Sequence, residues 1–109
     1  VYLANGDPDL ACAAYQKAIA IDPQRYDAMY NLALIYNDLN DHDSAVQEAR
    51  ALLRVQPKHA PTHYLLGKLY ENQRSTLDLA RYHYRQFLAL APDDPIAGPV
   101  RQWLAEHPE

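Results

Sequence analysis

Apolar residues along this chain recur at helical spacing, in segments divided by proline and short polar turns. Over 8–21 (PDLACAAYQKAIAI), Leu10, Ala14, Ala18 and Ile21 fall on one helical stripe. Asp7 predicts the N-cap, and Pro8 a first helical residue whose missing N–H needs no partner. Asp22-Pro23 ends the segment, because the residue before proline is pushed out of the α region. The pattern then predicts helices over about 26–39, turning at Asn40-Asp41, and over about 42–55, ending before Pro57. Pro61 opens a helix of about 61–73, and Ser75 or Thr76 caps another at about 76–90. In the tail, Ile96, Val100, Trp103 and Leu104 form an i, i+4, i+7, i+8 stripe, which predicts a last amphipathic helix within about 95–106. That helix starts at Pro95, or at Pro99 after a turn, since Pro99 would break a ladder bond in the longer version.

Three of these segments end alike: Ala11, Tyr15, Ala18, Pro23; Ala45, Ala49, Leu52, Pro57; and Ala80, Tyr84, Phe87, Pro92. The spacing is +4, +3, +5 each time, and the prolines lie 34 and 35 residues apart. Between them Met29, Leu32, Ala33, Tyr36 is repeated as His63, Leu66, Gly67, Tyr70. A period of this size means stacked supersecondary units. Two helices joined by a short loop pack antiparallel, and small residues at Ala33 and Ala45 let their axes approach. In the next unit Gly67 and Ala80 take those places. Gly67 costs about 1 kcal/mol of helix propensity relative to Ala, which points to close packing there.

On these residues the chain resembles the tetratricopeptide repeat family. The family pattern of a large residue, Leu, Gly or Ala, Tyr, then Ala, aromatic, Ala and Pro is met by residues 26–59 and 60–94. Residues 1–25 match from Tyr2 onward, as a truncated repeat, and 95–109 resemble the closing helix of such arrays. The departures are Ala49 at the aromatic place, Leu52 and Phe87 at a small one, and His63 at the bulky one. The resemblance implies an all-α fold, a right-handed superhelix of antiparallel helix pairs forming one repeat domain.

Composition agrees with helices: of 109 residues, only 3 are Gly, and the 8 Pro lie at segment edges. The net charge of −4, without a basic run, counts against nucleic acid binding, which needs a basic face to neutralise phosphates. No stretch is apolar enough for a membrane span. Cys12 stands alone and reads as a half-buried small residue on its helix. No catalytic motif or cofactor fingerprint is present. His59 and His63 are four apart, but Pro61 lies between them and a zinc site needs further ligands, so no metal is expected. His63 reads as a packed residue, and His42 and His83 as solvent-facing. Acidic pairs such as Asp41/Asp43 and Asp93/Asp94 sit at helix starts, where they cap.

What the buried pattern leaves over on the first helix of each unit is the candidate binding face. The resemblance implies that these helices line a concave groove holding a peptide or partner helix. By register it carries Tyr30, Asn31, Leu34 and Asn37, then Tyr64, Leu65, Lys68 and Glu71. Asp27, Asp38 and Glu71 outnumber Lys68, so a neutral or basic partner with apolar anchors is expected. Family arrays that clamp a C-terminal carboxylate use Lys and Arg beside an Asn. Asn31 fits the Asn place, but the basic places fall on Pro61 and Leu65, so binding should not depend on a free carboxylate. The rival expectation is self-association through the truncated N-terminal face, giving a homodimer.

The register predicts that Ala45→Leu overpacks its helix pair and costs about 1–3 kcal/mol, while a change at Glu48 is nearly neutral. Thermal melting checks this, and equal effects would place the register elsewhere.

Overall fold

The computed structural model describes residues 8–109, and its elements there are helical. They are α1 (Pro8–Ile21), α2 (Tyr26–Asp38), α3 (His42–Val55), α4 (Ala60–Tyr70), α5 (Leu77–Leu90) and α6 (Ala97–Glu106). A 3-10 turn at Arg74–Thr76 precedes α5. The expected Asp7 cap and the match at Tyr2 lie outside the described residues. The chain divides into two compact units, Val1–Pro57 and Lys58–Glu109.

In the first unit α2 packs against α1 and, more extensively, against α3. Ala33, Ala45, Ala49 and Leu52 are all fully buried, so small residues do occupy the α2–α3 contact. Beneath α1 the core is Ala11, Tyr15, Ala28, Leu32 and Ile35, with Cys12, Ala18, Ile19 and Tyr36 packed on it. This corrects the expected α1 stripe: Leu10 is 56% and Ile21 77% exposed. The recurring Ala-Tyr-Ala ending marks the buried side of α1, and the apolar count alone marks the wrong one.

The α2–α3 turn closes by a Schellman arrangement. Asn40 takes the left-handed conformation at φ 61°, its N–H donates to Asn37 O, and the Asp41 N–H donates to Tyr36 O at 2.8 Å. Asp41 then caps α3, its carboxylate accepting the Ser44 N–H at 3.2 Å. Glu48 on α3 is half-buried, and burial raises its carboxyl above the usual carboxylate range.

In the second unit α5 packs against α4 and, less extensively, against α6. Tyr84, Phe87, Ala97 and Val100 form the core between α5 and α6, joined by Tyr64, Leu88, Trp103 and Leu104. Gly67 explains how close α4 and α5 come. A Cβ built there would lie 2.4 Å from Tyr84 Cε1 and 2.8 Å from Cζ, closer than carbon atoms pack. The ring cannot swing aside readily, because Tyr84 is 2% exposed and its hydroxyl is bonded to Glu71.

Four local expectations need correction. Helix α4 stops at Tyr70, short of 73, where the Thr76 hydroxyl donates to Tyr70 O at 2.6 Å and holds the chain in its 3-10 turn. Thr76 precedes α5 but makes no side-chain cap to it, since its hydroxyl is committed backward. Helix α6 starts at Ala97, between the two expected prolines; Pro99 falls in the first turn, where no N–H is needed. Ile96 is left outside and Ala97 is buried instead. His83, expected in solvent, is 9% exposed. Its Nδ1 lies 3.0 Å from Nδ1 of buried His63, and its ring stacks on Tyr70 with centroids 5.9 Å apart.

Gly67→Ala should therefore destabilise the chain despite Ala's better helix propensity, by about 1–2 kcal/mol net. Denaturant melts check this, and in a Tyr84→Leu background the same change should lose its penalty or become stabilising.

Candidate protein-binding face

The candidate residues fall in two sets, one in each compact unit. On α2, Tyr30, Asn31, Leu34 and Asn37 are all half-buried. They occupy the side of the helix left by Ala28, Met29, Leu32, Ala33 and Ile35, which are buried. Asp27, counted as an acidic member, already pairs with Arg25, whose Nε and Nη2 donate to its two oxygens at 3.0 and 3.2 Å. That hydrogen bonding holds the Asp27 carboxyl below its usual range. Much of the acidic lean of this face is thus cancelled locally.

On α4 the set is more sharply arranged. Leu65 is 6% exposed and belongs chiefly to the core. Tyr64 is half-buried, with its ring 5.5 Å from that of Phe87 and 6.0 Å from that of Tyr84. It packs within the α4–α5 pair and keeps part of its surface accessible. Lys68 and Glu71, one turn apart, approach to 3.7 Å. The Tyr84 hydroxyl donates to Glu71 Oε1, the same oxygen that Lys68 approaches. Burial, and after it this hydrogen bond, raise the Tyr84 phenol far above its ordinary value, so it stays a proton donor.

Tyr64, Lys68, Glu71 and Tyr84 line one side of a cleft of about 100 Å³, and Pro99, Val100 and Trp103 of α6 line the other. Sequence reasoning placed α6 as a closing helix and missed its share in this cleft. Trp103 sits edge-on to Tyr84 with centroids 4.9 Å apart. It also stacks on His107 at 4.2 Å. Helix α6 and the residues after it are anchored by Arg101, donating to Pro92 O at 2.9 Å, and by Arg81, donating to His107 O at 3.2 Å. Arg85 and Glu109 add an ion pair at 2.5 Å. The cleft lining therefore combines aromatic side chains that pack on one another with a carboxylate and an ammonium.

The sequence profile of the family described as tetratricopeptide repeat matches residues 2–70. The chain belongs to the tetratricopeptide repeat family. Among similar proteins is the tetratricopeptide repeat and J domain-containing co-chaperone DNJ1 of Cryptococcus neoformans, 33% identical over 67 residues, or 62% of this chain and 13% of that protein. Anaphase-promoting complex subunit 3 of Schizosaccharomyces pombe is 33% identical over 84 residues, covering 77% of this chain and 12% of the relative. DnaJ homolog subfamily C member 3 of Gallus gallus is 24% identical over 106 residues, 87% of this chain and 21% of the relative. The chain thus spans only a small part of the length of these relatives. Its tetratricopeptide repeats support a protein–protein interaction scaffold. No helix among the described residues is long and apolar enough to cross a membrane.

The Tyr84–Glu71 bond gives a direct check on the repeat-to-cleft geometry. Tyr84→Phe removes the donor from a half-buried carboxylate and should cost about 1–3 kcal/mol. Glu71→Gln, which keeps an acceptor for the hydroxyl, should cost less in the same denaturation experiment.

Proposed function

We propose that this tetratricopeptide repeat segment is non-catalytic and binds a peptide or partner helix along the outward sides of α2 and α4. The observation that carries the reading is the cleft that gathers Tyr64 and Lys68 of α4, and Glu71 at its C-terminal end, with Trp103 of α6. An aromatic recess with a polar rim is the surface type that supplies binding energy in protein complexes, because rigid rings lose little entropy and exclude water. On α2, Tyr30 and Leu34 offer an apolar strip, and Asn31 and Asn37 offer amides for the partner's backbone. The partner is neutral to basic with apolar anchors. Residues 26–59 and 60–94 act as complete repeats, with 95–109 as the closing helix.

A second reading rests on α1. Leu10 at 56% and Ile21 at 77% exposed, with exposed Ala14 between them, leave an apolar side of that helix facing solvent. Self-association through this side would cover it. Sedimentation separates the two readings: a monomer at high micromolar concentration contradicts assembly.

Titrating binding peptides against Tyr30→Ala and Tyr64→Ala tests the main reading. At least one substitution should weaken binding about tenfold, the scale of a lost aromatic anchor. Unchanged affinity in both would move the site elsewhere.

A further inference from the structure

The α4–α6 cleft has a chemistry that selects its occupant, and this inference rests on the protein-binding reading above. Its walls are three aromatic side chains, Tyr64, Tyr84 and Trp103. Glu71, whose side chain is 20% exposed, is part of the same lining. Tyr84 donates to Oε1 of this carboxylate and Lys68 comes nearest to the same oxygen, while Oε2 accepts no hydrogen bond among the described residues. An accessible acceptor on a half-buried carboxylate, next to aromatic faces, favours a cation with directed N–H donors.

We infer that the cleft receives an arginine side chain of the protein partner, its guanidinium against the Tyr64 and Trp103 rings and donating to Glu71 Oε2. The guanidinium is planar and weakly hydrated, so it can stack on a ring and still reach a carboxylate, whereas an ammonium is a compact, strongly hydrated point charge. The volume of about 100 Å³ is roughly that of three liquid waters. It suits a side-chain headgroup better than a folded segment. Lys68 does not block entry. Its Nζ is 3.7 Å from Glu71, and its side chain is 52% exposed, so the pair is loose and worth about 0–1 kcal/mol. The ammonium can turn to solvent as the guanidinium enters. An acidic side chain would face Glu71 across a short distance and is disfavoured.

The chain holds a single tryptophan, so fluorescence excited at the red edge of indole absorption, beyond that of the tyrosines, reports on Trp103. Peptides are selected from a random library on the immobilised chain, then resynthesised with arginine replaced by citrulline, a neutral residue of the same shape. The inference expects binders that carry arginine, a saturable change in Trp103 emission, and about tenfold weaker binding of the citrulline peptide. Glu71→Gln should abolish that arginine-to-citrulline difference while leaving the fold intact, as judged by circular dichroism. Binders that ignore the citrulline replacement, or that keep the difference in Glu71→Gln, overturn the inference. If such binders still weaken with Tyr30→Ala, the broader protein-binding reading stands without it. Lysine peptides that bind as tightly as arginine peptides also overturn the choice of guanidinium. A library that yields no binder counts against both.

Discussion

The close approach of α4 to α5 at Gly67 is the contact on which the second unit is built. Only a residue without a side chain leaves room for the Tyr84 ring, which lies where a Cβ would be. The helix accepts a propensity loss of about 1 kcal/mol at that position in return for a tighter pair. Tyr84 then orders much of what surrounds it. Its hydroxyl fixes Glu71, its ring meets Tyr64 and Trp103, and its body is part of the core that seats α6. The first unit meets the same demand with Ala33 and Ala45, both fully buried, where the second has Gly67 and the equally buried Ala80.

Contacts run mainly between helices adjacent in sequence: α1 with α2, α2 with α3, α4 with α5, and α5 with α6. Each pair closes only a short loop, which keeps the entropic cost of forming it low. Turns are set by local chemistry. Asn40 tolerates the left-handed backbone that ends α2, and Asp41 caps α3 in the next step. Such a plan commits the inward sides of the helices to one another and leaves their outward sides less buried.

Much of this was readable in the chain. The pairs, the small contact residues and the reason for Gly67 follow from a spacing that repeats, because every copy solves the same packing problem. The α1 stripe misled because Leu10 and Ile21 are apolar yet exposed, and a single helix's periodicity cannot say which apolar side meets a neighbour. His83 was misplaced for a related reason: its polarity predicts solvent, but its partner is another buried histidine twenty positions away in α4. The cleft was half legible. Tyr64, Lys68 and Glu71 share a helix side by register, while Trp103 joins them through tertiary packing that no short-range pattern encodes. Leu65 shows the converse, a register candidate that the core takes up.

The direct measurement of the central contact is the nuclear Overhauser effect between the Gly67 α-protons and the Tyr84 ring protons in the isotopically labelled chain. The account predicts strong cross-peaks and a Gly67 α-proton shifted by the ring current of Tyr84. Gly67 α-protons at ordinary helical shifts, with no cross-peak to Tyr84, would contradict it.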